Sequence, residues 1–213
     1  VFDAAMKYIN AMAKEVEAAQ VKTTKLTNTL TAIATTGNFQ ALLKLLDKNA
    51  TELAESYQLM ADKSIPAPIR KPLEQAYNTV FAQVKKLVNK EVVAMSAASN
   101  LTDLLALVVH NSADLALMYA TIAKEAIPAQ LKTPIEKAFN KVVARIKKLV
   151  KTEVLGASEL GKLLVSSSIT DNKILQIVSL VEKILASSNP KEIKEAVSTI
   201  KPKITKLIKG QID

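Results

Sequence analysis

Ile127-Pro128-Ala129-Gln130-Leu131-Lys132-Thr133-Pro134-Ile135-Glu136-Lys137-Ala138-Phe139-Asn140 decides how this chain is read. Beyond it Val142, Val143, Ile146, Leu149 and Val150 return at helical spacing and form one apolar side. Sixty-two positions earlier stands Ile65-Pro66-Ala67-Pro68-Ile69-Arg70-Lys71-Pro72-Leu73-Glu74-Gln75-Ala76-Tyr77-Asn78, followed by Val80, Val84, Leu87 and Val88. Apolar matches apolar almost throughout, so one amphipathic helical unit is written at least twice.

The prolines punctuate each copy. Ile65-Pro66-Ala67-Pro68 reads as a bend, because proline removes a backbone donor and restricts the residue before it. Pro72 and Pro134 then read as first-turn prolines. Thr133-Pro134-Ile135-Glu136 has the form of a capping box, with Thr133 at the cap and Glu136 three residues on. Upstream, Asn38 and Asn100 begin matching segments. Leu42, Leu43, Leu45 and Leu46 correspond to Leu104, Leu105, Leu107 and Val108, and Asn49, Leu53 and Tyr57 to Asn111, Leu115 and Tyr119.

Outward from these copies the pattern weakens. Ile174, Ile177, Val178, Val181 and Ile184, then Asn189-Pro190-Lys191-Glu192 with Ile193, Val197, Ile200, Ile204 and Ile208, read as a degenerate third copy. At the other end Phe2, Met6, Ile9, Met12, Ala13 and Val16 recur at helical spacing, and Val21, Leu26, Leu30 and Ile33 extend the stripe through a threonine-rich stretch of lower helix propensity. Residues 1–36 are expected as one long helix or two shorter ones, ended by Gly37 in a left-handed conformation. The expected organisation is all-α: a helical bundle with an N-terminal segment at 1–37, a cap or half-unit, and repeats at 38–99, 100–161 and 162–213. About seven to nine helices joined by short loops, with no strands, follow from the pattern.

Composition narrows the function. The 213 residues include no cysteine and no tryptophan, and 49% are apolar, mostly aliphatic. Disulfides and cysteine metal sites are therefore excluded. No apolar run is long enough to cross a bilayer. The net charge of +9 concentrates on the post-proline helices, with six basic against two acidic residues in 63–99 and eight against four in 125–162. Only Arg70 and Arg145 are arginines, aromatic residues are scarce, and the lysines are interleaved with Glu74, Glu91, Glu136 and Glu153; nucleic-acid binding is not expected. A chain starting at Val1, together with the glycosylation acceptor patterns Asn49-Ala50-Thr51 and Asn100-Leu101-Thr102, points to a secreted or extracellular protein.

Enzyme readings lack parts. The sole histidine, His110, takes the place of Lys48 and reads as a surface or helix-end residue, carboxylates do not cluster at ligand spacing, and the four glycines are scattered. Neither cofactor nor metal is expected. Tyr57 and Tyr119, with Leu53, Leu115, Met60, Ile122, Phe81 and Phe139, are the candidate lining of a hydrophobic ligand site; the alternative is that each tyrosine plugs a helix corner. Lys85-Lys86 and Lys147-Lys148 are the candidate basic rim, or else the solvated faces of amphipathic helices.

In its helix-rich, cysteine-free make-up and in segments such as Ile122-Ala123-Lys124-Glu125-Ala126-Ile127-Pro128, the chain resembles fungal hydrophobic-surface-binding and cell-wall mannoprotein domains. The resemblance implies a bundle that holds lipids or coats apolar surfaces. It covers short segments and carries over no functional residue. The expectation is a non-enzymatic secreted protein that binds a fatty acid, a lipid or an apolar interface, an anionic lipid surface among the partners considered. The alternative is a structural or self-assembling α-repeat protein that docks a protein partner or forms a homo-oligomer.

Overall fold

The computed structural model describes residues 2–149 and, beyond them, Thr152, Lys183, Ala186, Ser187, Asn189, Glu192, Glu195, Ala196 and Thr199. Among the described residues there are seven α-helices and no strand: α1 Phe2–Ala34, α2 Phe39–Lys48, α3 Ala50–Ala61, α4 Ala67–Ala97, α5 Leu101–His110, α6 Ser112–Ala123 and α7 Ala129–Leu149. The protein is all-α. Most of the segment expected as a third copy, 162–213, lies outside the described residues.

Asparagines set the helix boundaries. Asn38, extended at φ −100 and ψ 131, accepts the Ala41 N–H on Oδ1 at 2.9 Å. Asn100 does the same for Asp103 N–H at 2.9 Å. At the ends of α2 and α5, Asn49 and Asn111 donate Nδ2 to the carbonyls of Leu45 and Leu107, each at 2.8 Å. The caps from Asn38 and Asn100 contribute about 1 kcal/mol each by pairing N–H groups that the helix leaves open; the Leu45 and Leu107 carbonyls also accept the Asn49 and Asn111 backbone N–H groups.

α4 and α7 begin earlier than the capping-box pattern indicates. Both start directly after a proline, and the Pro66 carbonyl takes the N–H groups of Ile69 and Arg70 at 2.9 and 3.2 Å. The Pro128 carbonyl takes those of Leu131 and Lys132 at the same distances. Pro72 and Pro134 consequently lie inside their helices rather than in a first turn. Thr133 is no cap: its hydroxyl donates to the Ala129 carbonyl at 2.9 Å. A first turn suits proline better than a helix interior, but backbone pairing to Pro66 and Pro128 starts each helix before Pro72 and Pro134.

α1 is a single helix. Its threonines do not break it, and their hydroxyls donate to carbonyls one turn back: Thr23 to Ala19 at 2.9 Å, Thr24 to Gln20 at 2.8 Å and Thr31 to Thr27 at 2.8 Å. Gly37, expected in a left-handed conformation, does not adopt one, and a Cβ there would meet nothing within 4 Å. The turn is made by Thr35 and Thr36 bonding back into α1.

The chain divides into two compact units. The first holds residues 1–88 and 121–135. In it α1 packs on α2 and α3, and Leu26, Leu30, Ile33, Leu42, Leu43, Leu46, Leu53, Leu73 and Val80 are almost wholly buried. Lys22 pairs with Glu55 at 3.3 Å and Lys124 with Asp47 at 2.6 Å on its surface. Such exposed pairs add little stability. The second unit holds residues 89–120 and 136–213, and buries Val92, Met95, Leu104, Val108, Met118, Val142 and Ile146.

Candidate functional site

The repeated tyrosines form ring pairs. Tyr57 on α3 meets Tyr77 on α4 with centroids 5.9 Å apart and planes at 44°. Tyr119 on α6 meets Phe139 on α7 at 6.0 Å and 46°. Both geometries are tilted, as the ring quadrupole favours. Tyr57 and Tyr119 remain 47% and 38% exposed, whereas Tyr77 and Phe139 are buried. Burial pushes the Tyr77 hydroxyl well above the ordinary tyrosine range, with the nearby Tyr57 adding to it. That hydroxyl has no hydrogen-bond partner among the described residues.

The other residues expected around the tyrosines divide. Leu53 and Leu115 are core residues. Met60, Phe81 and Ile122 are half-buried. Tyr57, Met60, Phe81 and Ile122 belong to the first unit, and Tyr119, Leu115 and Phe139 to the second. Lys85 places Nζ 5.4 Å from the centre of the Phe81 ring, a cation–π contact that holds this charge to its own helix. Lys86 and Lys148 are exposed and Lys147 half-buried. An open groove of about 290 Å³ in the first unit has walls of Thr23, Thr24, Thr27, Pro68 and Pro72; another cavity, of about 580 Å³, borders Lys183, Ser187, Glu192 and Glu195. Neither touches Tyr57 or Tyr119.

The acceptor asparagines are in use. Asn49 spends its amide nitrogen on Leu45, and Asn100 donates Nδ2 to Asp103 at 2.7 Å. Glu192 accepts from Ser187 Oγ at 2.7 Å. His110 is exposed in the last turn of α5. Among the described residues, no group of three or more His, Cys, Asp or Glu side chains is placed to hold a metal ion, and no helix is long and apolar enough to cross a membrane.

Three features were not read from the sequence. First, long side chains brace the α4 and α7 helices. Gln83 Nε2 donates to the Thr36 carbonyl at 2.6 Å, and Arg145 Nε donates to the Ala98 carbonyl at 2.8 Å with Nη2 on the same oxygen. Thr36 to Ala98 and Gln83 to Arg145 are both sixty-two positions, so the contact recurs at the spacing of the sequence pattern. Second, Glu91 on α4 lies beside Asp114 on α6. Burial, then the nearness of Asp114, raises the Glu91 carboxyl above its ordinary range, against smaller opposite pulls from Lys90 and His110. Asp114 Oδ1 is buried without a partner among the described residues. An acid one position before Leu115, inside an apolar helix, was the available signal.

The third feature is that the apolar face of α1 is only half covered. Phe2, Ala5, Ile9, Met12, Val16, Ala19, Thr23, Leu26, Leu30 and Ile33 alternate strictly at spacings of three and four. From Thr23 onward this face is buried. Before it, Phe2 is 77%, Ile9 56%, Met12 47% and Val16 38% exposed. Half of a continuous apolar face is thus covered by the protein's own core and half is not. Val21, expected on the stripe, lies off it and is exposed.

No protein-family model, curated protein or solved structure matches the chain. The reading of function accordingly rests on the residues and their arrangement.

Proposed function

We propose that this is a non-enzymatic helical protein that works by binding an apolar partner at a helix face, the first half of α1. The observation that carries the reading is the exposed line Phe2, Ile9, Met12 and Val16, continuous with the buried line Leu26, Leu30 and Ile33. Large apolar side chains at regular spacing are costly to leave in water, at about 25 cal/mol per Å², and contiguous exposed patches of this kind mark interaction sites.

The body is read as an α-repeat. Residues 38–99 and 100–161 are two copies of one unit, 162–213 a degenerate third, and α1 the N-terminal cap. Supporting it are the matched asparagine caps, the matched carbonyls of Pro66 and Pro128, the matched ring pairs and the matched braces from Gln83 and Arg145.

Native mass spectrometry of the purified, undenatured chain tests the reading, with Ile9→Glu/Met12→Glu alongside. A bound lipid or second polypeptide that the double variant loses is the expected result. An unbound monomer in both, or the same adduct in both, would sink it.

A second reading places a fatty acid or lipid at the tyrosine corners. It is favoured by the half-exposed rings of Tyr57 and Tyr119, each backed by a buried aromatic ring. A lipid adduct that survives Ile9→Glu/Met12→Glu but is lost with Tyr57→Ala/Tyr119→Ala would favour this reading over the first.

A further inference from the structure

We propose that the uncovered half of α1 is a two-fold, antiparallel dimer interface whose partner is a second copy of this chain. The proposal rests on the helix-face reading above and names its partner. Four observations support it.

The first is the period. Phe2, Ala5, Ile9, Met12, Val16 and Ala19 keep an unbroken alternation of three and four, a repeat of 3.5 residues. The same alternation runs on into Leu26, Leu30 and Ile33, where this face is buried and α1 packs on the α2 and α3 helices, so the uncovered half is the continuation of a face that meets other helices.

The second is fit. Two copies run antiparallel with Ile9 opposite Met12 of the other place Phe2 opposite Ala19 and Ala5 opposite Val16. Every layer then sets a larger side chain against a smaller or a flexible one. On the seam's flanks Met6 comes beside Ala13, and Tyr8, which is 66% exposed, beside Glu15 with its hydroxyl free to donate. A parallel pair would instead stack Ala5 on Ala5 and Ala19 on Ala19 and leave gaps beside the larger layers, which close-packed interfaces do not tolerate.

The third is charge. Residues 2–22 carry Asp3, Glu15 and Glu17 against Lys7, Lys14 and Lys22, so this segment is neutral although the whole chain is +9. Neutrality removes repulsion between copies. It also withholds the electrostatic attraction that holds a basic helix to anionic lipid.

The fourth is area. With Phe2, Met6, Tyr8, Ile9, Met12 and Val16 each between 38% and 77% exposed, a pair of copies covers on the order of 1,000 Å², which is where specific interfaces begin. Because a two-fold axis uses the same patch twice, the assembly closes at two and leaves no seam for a third copy.

Sedimentation equilibrium of the full chain, from low micromolar to hundreds of micromolar, should fit monomer and dimer. Ile9→Glu/Met12→Glu should weaken the dissociation constant at least about 100-fold, as loss of central anchors does, with the circular dichroism spectrum and melting midpoint matching the wild type at concentrations where both are monomers, because both side chains are exposed in the monomer. Val21→Glu, off the seam, should leave the dimer intact. The chain has no cysteine, so orientation can be read directly: Ala5→Cys and Val16→Cys chains, mixed and oxidised, should form the mixed disulfide in preference to either homodisulfide. Homodisulfides alone would overturn the antiparallel arrangement. A monomer at every concentration would overturn the dimer. If that monomer bound phosphatidylcholine vesicles through the same stripe, the face would belong to a lipid surface, and the helix-face reading would stand without the dimer.

Discussion

Tyr77 lies 5.9 Å from Tyr57, ring to ring, with its hydroxyl buried and unpaired among the described residues. Sixty-two positions on, the place of Tyr77 is taken by Phe139, which makes the same tilted contact with Tyr119 and brings no hydroxyl. A buried hydroxyl without a partner costs about 1 to 3 kcal/mol. Tyr77→Phe should therefore be neutral or stabilising by up to about 2 kcal/mol. The reverse change, Phe139→Tyr, should destabilise by about 1 to 3 kcal/mol. Urea unfolding midpoints of the two variants check both signs.

The brace from Arg145 to the Ala98 carbonyl is the charged form of the brace from Gln83 to Thr36. Hydrogen bonds from charged donors contribute more than neutral ones, and an unmatched carbonyl adds its own cost. Arg145→Ala should lower stability by about 1.5 to 3 kcal/mol, and Gln83→Ala by about 0.5 to 1.5 kcal/mol. Arg145→Gln should recover part of the loss, since glutamine makes this contact at position 83. Chemical unfolding of the three variants orders them.

Glu91 makes stability depend on pH. Its carboxyl is raised above 4.5 by burial and by Asp114, so the folded protein holds that proton more tightly than the unfolded chain does. The contribution of Glu91 to stability therefore falls as pH rises from 4.5 through the folded-state value, and the penalty is complete above it. Glu91→Gln should raise the melting midpoint at pH 7 and bring little or no gain near pH 4. Thermal unfolding of both proteins at the two pH values tests the sign.

Gly37 takes no left-handed conformation and has open space where a Cβ would stand. Alanine there reduces the freedom of the unfolded chain without a clash. Gly37→Ala should stabilise by about 0.4 to 1 kcal/mol, and differential scanning calorimetry would detect it. A loss of stability would mean that the turn into α2 needs glycine after all.

Much of the fold was legible because its signals are local. The stripes through Leu42 and Leu46, Leu104 and Val108, and Val142 and Ile146 follow from side chains that recur with the helical turn. The asparagine at 38 has the short polar side chain that pairs an open N–H within three residues. The site was less legible. The Gln83 and Arg145 braces join residues 47 apart in the chain, and the Glu91 to Asp114 contact links two helices, so no pattern within one helix could expose either.

The amino-acid sequence alone determined that the chain is helical, where the proline bends fall and which side of each helix is apolar, because these depend on backbone donors and a fixed residue period. Tertiary structure decided which apolar sides are covered. The same alternation of three and four runs from Phe2 to Ile33, yet Leu30 is buried and Phe2 exposed. The pattern states what a face needs, and only contacts with distant residues determine whether the molecule itself supplies it.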